Sequence, residues 1–94
     1  MAQALGIIEC DCYSDVVAAA DRADKAADVR LVRQEQIGGH QVALIIEGNS
    51  DEVTRALDAA SQGAPSTLKT TLVTNADPKV VSVFDLPGSR FWRK

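Results

Sequence analysis

The stretch from Gln34 to Gly48, QEQIGGHQVALIIEG, decides how this chain folds. Its later part, Gln41 to Glu47 (QVALIIE), is strongly apolar and suits the centre of a sheet, where a strand is covered on both faces. Gly38-Gly39 marks a sharp turn ahead of it, because glycine reaches the positive φ values that hairpin turns require. Before the turn, Val29 to Ile37 (VRLVRQEQI) reads as the partner strand. Val29, Leu31 and Ile37 fit its apolar pattern, and Val32 interrupts the alternation. The stretch is therefore a β-hairpin with His40 at its tip.

Upstream, Ala2 to Cys10 (AQALGIIEC) reads as a strand carrying Leu5, Ile7 and Ile8. Asp11 to Ser14 is a turn, and Ser14 or Asp15 offers a side-chain oxygen to cap a helix. Over Asp15 to Ala27, Val16, Ala19, Ala20, Ala23, Ala26 and Ala27 recur at helical spacing. Asp21, Arg22, Asp24 and Lys25 occupy the other faces, and a stripe made mostly of alanine allows close approach to a sheet.

Downstream, Gly48-Asn49 turns the chain and Ser50 is the expected cap of a second helix. Asp51 and Glu52 in its first turn favour the helix dipole. Val53, Ala56, Leu57 and Ala60 form its apolar stripe, and Gly63 with Pro65 ends it. Leu68 to Thr74 is a fourth strand. Pro78 opens a short helix through Phe84, and Pro87-Gly88 breaks into a tail. The order βαββαβ plus a short C-terminal helix predicts an α+β, ferredoxin-like fold: a four-stranded antiparallel sheet with helices on one face.

Length and composition bound what such a domain does. Ninety-four residues weighing 10.0 kDa make one domain. Hydrophobic residues at 46% and charged residues at 24% are ordinary for a soluble globular chain. The net charge is −3, and the one basic cluster, Arg90, Arg93 and Lys94, is too short for a nucleic-acid footprint. No apolar run reaches the roughly 18 residues of a membrane span and no signal peptide opens the chain, so a soluble, cytoplasmic protein is expected. A domain this small buries only about 60–65% of its unfolded surface. Its alanine-rich elements therefore point to stabilisation by partner subunits.

Catalytic chemistry has little to work with. His40 is the single histidine, and no serine or carboxylate stands at a spacing that would orient it as a base. Phosphate-cradling glycine motifs are absent, and the acids fall on helix surfaces and strand ends, where solvated charge is the ordinary case. Cys10 and Cys12 resemble half of a metal site, but zinc or an iron–sulfur cluster needs four ligands and no second pair exists. The ordinary reading is two reduced thiols at a strand end, one packed as a small hydrophobe. Ligands shared between subunits are the route by which Cys10, Cys12 or His40 would hold a metal. Neither an enzyme nor a cofactor is expected.

Four stretches together resemble the bacterial microcompartment shell domain, over residues 2–87 and in unpermuted order. They are ALGIIE at 4–9, AAADRADKAADVRLV at 18–32, QEQIGGHQVALIIEG at 34–48 and VTRALDAA at 53–60. Residues 88–94 form a tail beyond the resemblance.

The resemblance implies a cyclic homohexamer that tiles into the shell of an enzyme-filled compartment in the cytoplasm. It implies a central pore for small polar metabolites lined by Ile37, Gly38, Gly39, His40 and Gln41, and a hexamer edge carrying Lys25, Asn75 and Asp77. Other shell proteins and the encapsulated enzymes are the implied partners, with no nucleic acid and no membrane. Asp77 stands where many relatives carry an edge arginine, Gln36 where many carry a lysine, and Cys12 replaces the usual glycine after the first strand. Two alternatives use the same residues: a specialised shell subunit with a metal at His40 on the axis, and a ferredoxin-like regulator of smaller oligomeric state that binds a metal or small ligand.

Overall fold

The computed structural model describes residues 4–36 and 41–83. Its elements follow in the order β1 (Ala4–Cys10), α1 (Tyr13–Ala26), β2 (Arg30–Gln36), β3 (Val42–Gly48), α2 (Ser50–Ser61), β4 (Lys69–Thr74) and α3 (Pro78–Val83). The sheet order is β2-β3-β1-β4, antiparallel throughout, as the ferredoxin-like reading requires. The apolar strands β1 and β3 hold the centre, and the more polar β2 and β4 form the edges.

Alternation sorts the central strands onto two faces. Ala4, Ile8 and Cys10 of β1 and Val42, Leu44 and Ile46 of β3 pack beneath the helices. Val16, Ala19 and Ala23 of α1 and Val53, Ala56, Leu57 and Ala60 of α2 complete that core. Each helix thus buries one stripe at the expected spacing. Ile8, Ile46 and Val53 are almost fully buried, and each such side chain contributes about 1.5–3 kcal/mol of hydrophobic stabilisation. On the opposite face Leu5, Ala43, Ile45 and Glu47 are buried as well.

Gly6 sits directly beneath Val53 of α2. A Cβ added there would lie 2.9 Å from both Ile46 Cγ1 and Val53 Cγ1. Hydrogen there lets the Val53 methyl group rest directly on strand backbone. The two helices are joined by Arg22 of α1. Its Nε donates to the Ala59 carbonyl at 3.2 Å and its Nη2 to the Ala60 carbonyl at 2.6 Å. Carbonyls in the last turn of a helix lack partners within it; Ala59 also accepts from Gln62 N–H at 3.2 Å, and the guanidinium adds a second donor there and supplies one to Ala60.

Several local details differ from the sequence reading. Helix α1 starts at Tyr13, with Cys12 as its cap residue and no side-chain cap bond; neither Ser14 nor Asp15 serves. The Cys12 carbonyl accepts from Asp15 and Val16 N–H instead. In α2 the capping side chain is Asn49, whose Oδ1 accepts from Glu52 N–H at 3.0 Å, so Ser50 is the first helical residue rather than the cap. Val32, which broke the alternation of β2, is accounted for by a register shift between Leu31 and Arg33. Glu47 is not a solvated acid. It is only 5% exposed, and Arg30, opposite it on β2, forms an ion pair with it.

Two variants test this packing, with unfolding in urea compared at equal protein concentration. Gly6→Ala is expected to lose about 1–3 kcal/mol through overpacking against Ile46 and Val53, although alanine ordinarily suits a strand better than glycine. Arg22→Met keeps the aliphatic stem but removes the two carbonyl contacts, and a loss of about 1–3 kcal/mol is expected.

Candidate functional site

The strand registers place the residues singled out in the sequence at two opposite ends of the sheet. At one end Cys10 lies opposite Val42, and Val42 opposite Gln36, so the turn between β2 and β3 emerges there. At the other end Ala4 lies opposite both Gly48 and Thr74, and Arg30 opposite Glu47. There α1 runs out toward β2, α2 begins, and Asn75 to Asp77 follow β4.

At the hairpin end, Ile37, Gly38, Gly39 and His40 lie outside the described residues. Gln41 is described and half-buried, and its Nε2 donates to Glu9 Oε2 at 3.4 Å. Cys10 and Cys12 are both free thiols. Cys10 is buried in the helix-side core, with its Sγ 3.5 Å from Thr67 Oγ1 and 3.6 Å from Asp11 Oδ1. Cys12 is half-buried, and its Sγ lies 3.2 Å from Ser14 Oγ. The two thiols engage different partners. Among the described residues, no three His, Cys, Asp or Glu side chains gather closely enough to hold a metal ion.

At the opposite end, Lys25 is 74% exposed and pairs with Asp21, one helical turn earlier, at 2.8 Å. The hydrogen bond to Asp21, followed by that residue's charge, raises the ammonium above its ordinary value of 10.5. An ammonium carries three donors, so a cation held in this way still offers N–H groups outward. Asn75 is exposed and holds a left-handed backbone at φ 52°, which asparagine tolerates better than most residues. Asp77 opens α3. Its Oδ1 accepts from Lys79 N–H at 2.8 Å, and its carbonyl accepts from Val80 and Val81 N–H at 2.9 and 3.0 Å. An arginine at that position has no acceptor with which to make the side-chain contact.

The same end carries a cluster that sequence reasoning missed. Glu52 Oε1 accepts from Asp28 N–H at 2.7 Å, which ties the α1–β2 connection to the start of α2. Glu52 Oε2 accepts from Arg55 at 2.8 Å. The backbone donor from Asp28 holds the Glu52 carboxyl below its ordinary 4.5; desolvation opposes this and Arg55 assists. The spacing Asn49…Glu52 did carry the sign of a capping box. The glutamate, however, reaches a loop brought near by the tertiary fold rather than the cap residue itself. Arg22 and the Arg30–Glu47 pair had no comparable local signal.

The BMC domain family matches residues 4–80. The carboxysome shell protein CcmK2 of Synechocystis sp. is 41% identical over 64 residues, covering 68% of this chain and 62% of that protein. The bacterial microcompartment shell protein EutK of Salmonella typhimurium is 39% identical over 67 residues, 71% of this chain and 41% of that protein. The carboxysome shell protein CcmK3 of Halothece sp. is 35% identical over 75 residues, 80% of this chain and 74% of that protein. The match thus spans less than two thirds of the first two relatives. A crystal structure of a microcompartment protein from Desulfitobacterium hafniense DCB shares the fold, with a TM-score of 0.74 at 22% identity over 85% of this chain and 45% of that one. Among the described residues, no helix is long and apolar enough to cross a membrane.

The Glu52 contacts make a pH prediction. A carboxyl held below its ordinary value adds stability above pH 4.5, and that stability is lost as pH falls through the depressed value. Glu52→Gln is therefore expected to be less stable than wild type near neutrality, with the gap closing as pH falls below 4.5. Urea midpoints taken across that range check it; a gap that stays constant with pH contradicts the assignment.

Proposed function

The chain belongs to the BMC domain family, and from that premise we propose that it is a structural shell subunit of a bacterial microcompartment. In this reading it forms cyclic hexamers that tile into the shell, beside other shell proteins and around encapsulated enzymes in the cytoplasm. Its role is assembly and passage of small polar metabolites rather than catalysis.

The observation that supports this best is the separation of the two residue sets. The antiparallel register puts the β2–β3 turn at one end of the sheet, and Lys25, Asn75 and Asp77 at the other. A subunit that turns its hairpin end toward a symmetry axis carries the other end outward. In that arrangement Ile37, Gly38, Gly39, His40 and Gln41 line the opening, and the exposed Lys25 ammonium faces the next hexamer. Gly38 and Gly39 allow six backbones to crowd an axis where side chains would collide. Asp77 contributes at the edge through α3, whose first turn it holds in place.

The exposed apolar side chains fit a subunit made for assembly. Tyr13 and Val17 lie one turn apart on α1 at 62% and 51% exposure. Leu31 and Leu72, on opposite edge strands, are each more than 40% exposed. A cyclic, head-to-tail ring buries two different surfaces of each subunit, which such a distribution suits.

Assembly is tested first by mass in solution. Six subunits of 10.0 kDa give a particle of about 60 kDa, whereas a dimer or trimer supports the regulator reading and a monomer opposes both. Lys25→Asp is expected to leave that mass unchanged while abolishing the extended sheets or tubes that concentrated wild-type protein gives in electron micrographs. Tiling unaffected by Lys25→Asp would remove the edge role from this residue.

A further inference from the structure

We infer that Cys10 and Cys12 form a redox pair, in which a peroxide oxidises Cys12 and the buried Cys10 then closes the two sulfurs into a reversible disulfide. Neither a pore nor a hexamer is needed for it.

Alternation along β1 sends Cys10 to the helix side of the sheet, where it is fully buried. Cys12, two residues on, packs against the same core cluster, so both side chains face one body of side chains. On a straight strand, residues two apart have Cα atoms about 6.8 Å apart, the outer limit of what a disulfide spans. The chain bends at Asp11, between the two, which shortens that separation. Rotation of the half-buried Cys12 side chain away from Ser14 completes the approach. Closure gives up little, because each sulfur is held only by weak contacts. Cys10 Sγ lies 3.5 Å from Thr67 Oγ1 and 3.6 Å from Asp11 Oδ1, and Cys12 Sγ lies 3.2 Å from Ser14 Oγ.

Exposure divides the work between the two thiols. Cys12 is half-buried and reaches solvent, whereas Cys10 is 0% exposed. Cys12 is also the cap residue of α1, a helix of 14 residues whose terminus has no side-chain cap bond. The first N–H groups of a helix lack partners within it, so a thiolate on Cys12 meets unused donors there. Ser14 Oγ is a further donor beside the sulfur.

The thiolate is the nucleophile toward peroxide. The Cys12 sulfur bonds to one peroxide oxygen as the O–O bond breaks. The displaced hydroxide takes the proton the thiol gave up and becomes water, and Cys12 is left as a sulfenic acid. The Cys10 sulfur then attacks the Cys12 sulfur; the S–S bond forms and the S–O bond breaks. Asp11 Oδ1 accepts from the Cys10 S–H and belongs to an exposed residue, so it relays that proton to the departing hydroxide, which leaves as a second water. Two thiols and one peroxide thus give one disulfide and two waters, with two electrons passing from sulfur to oxygen. Thiol reductants reopen the bond, as they do other transient intracellular disulfides.

The test treats the purified, reduced full chain with hydrogen peroxide at neutral pH and reads the product by mass spectrometry. Trypsin leaves both cysteines in one peptide, residues 1–22, because Arg22 is the first basic residue. Oxidation is expected to remove two hydrogens from that peptide, about 2 Da located at residues 10–12, and dithiothreitol to restore them. In Cys10→Ala, trapping of the Cys12 sulfenic acid by dimedone should rise roughly fivefold or more over wild type, where Cys10 consumes it. In Cys12→Ser, the buried Cys10 thiol should survive roughly tenfold longer than in wild type. The wild-type peptide carries the test if either variant does not fold. An unchanged peptide, oxygen added at Cys12 with Cys10 still free, or a covalent dimer of about 20 kDa in place of the lighter peptide overturns the inference. So does loss of the Cys10 thiol at the wild-type rate in Cys12→Ser.

Discussion

The close approach of α2 to β1 at Gly6 is the constraint on which the rest of this structure depends. Val53 and Ile46 meet over a position where even one methyl group would fall within 2.9 Å of each. Alanines on both helices extend that approach along the sheet, with Ala19, Ala23, Ala56 and Ala60 all fully buried. Small residues bury little area each, so the layer is stable only when it is dense. The core is correspondingly thin, and a domain with so shallow an interior gains a great deal from neighbours. The proposed shell assembly answers that need.

The same packing makes the sheet a rigid spacer between its two ends. Seven register pairs join β1 to β3, and six join β1 to β4. With that ladder between them, the hairpin end and the end bearing Lys25, Asn75 and Asp77 cannot shift independently. Each end is also secured locally. Glu52 pins the α1–β2 connection through Asp28 N–H, and Asp77 holds the first turn of α3. At the hairpin end Gln41 leans on Glu9, and Cys10 closes the core beside Thr67. Asp77 in this way commits its carboxylate to the first turn of α3.

Charge is distributed by the same logic. Arg30 covers the buried carboxylate of Glu47 from the edge strand, so that an acid in the centre of the sheet is never left alone. Arg22 spends its guanidinium on two carbonyls of α2 rather than on an acid. Lys25 is anchored by Asp21 within its own helix and remains largely exposed. Arg22 and Arg30 thus serve the fold across elements, while Lys25 is held only within its own helix.

Much of this was legible in the residues alone, because periodicity is a local property. The apolar run 42–46, the stripe Val53, Ala56, Leu57, Ala60 and the stop at Gly63, which takes a φ of 72°, are written within a few neighbouring positions. They sufficed for the element order and the antiparallel fold, whereas the family rested on the resemblance of four longer stretches. Caps were less legible, since Asn49, Ser50, Ser14 and Asp15 are chemically equivalent candidates and only backbone geometry selects among them. The partners of Arg22, Glu47, Glu52 and Glu9 were not legible at all. They lie 37, 24 and 32 residues away for Arg22, Glu52 and Glu9, and across a hairpin for Glu47. Long-range pairs arise only once strand register and helix packing are set, and a single residue of slip would turn Glu47 and Glu9 to the other face. Local chemistry therefore determined which elements form, and tertiary structure alone decided which charges meet.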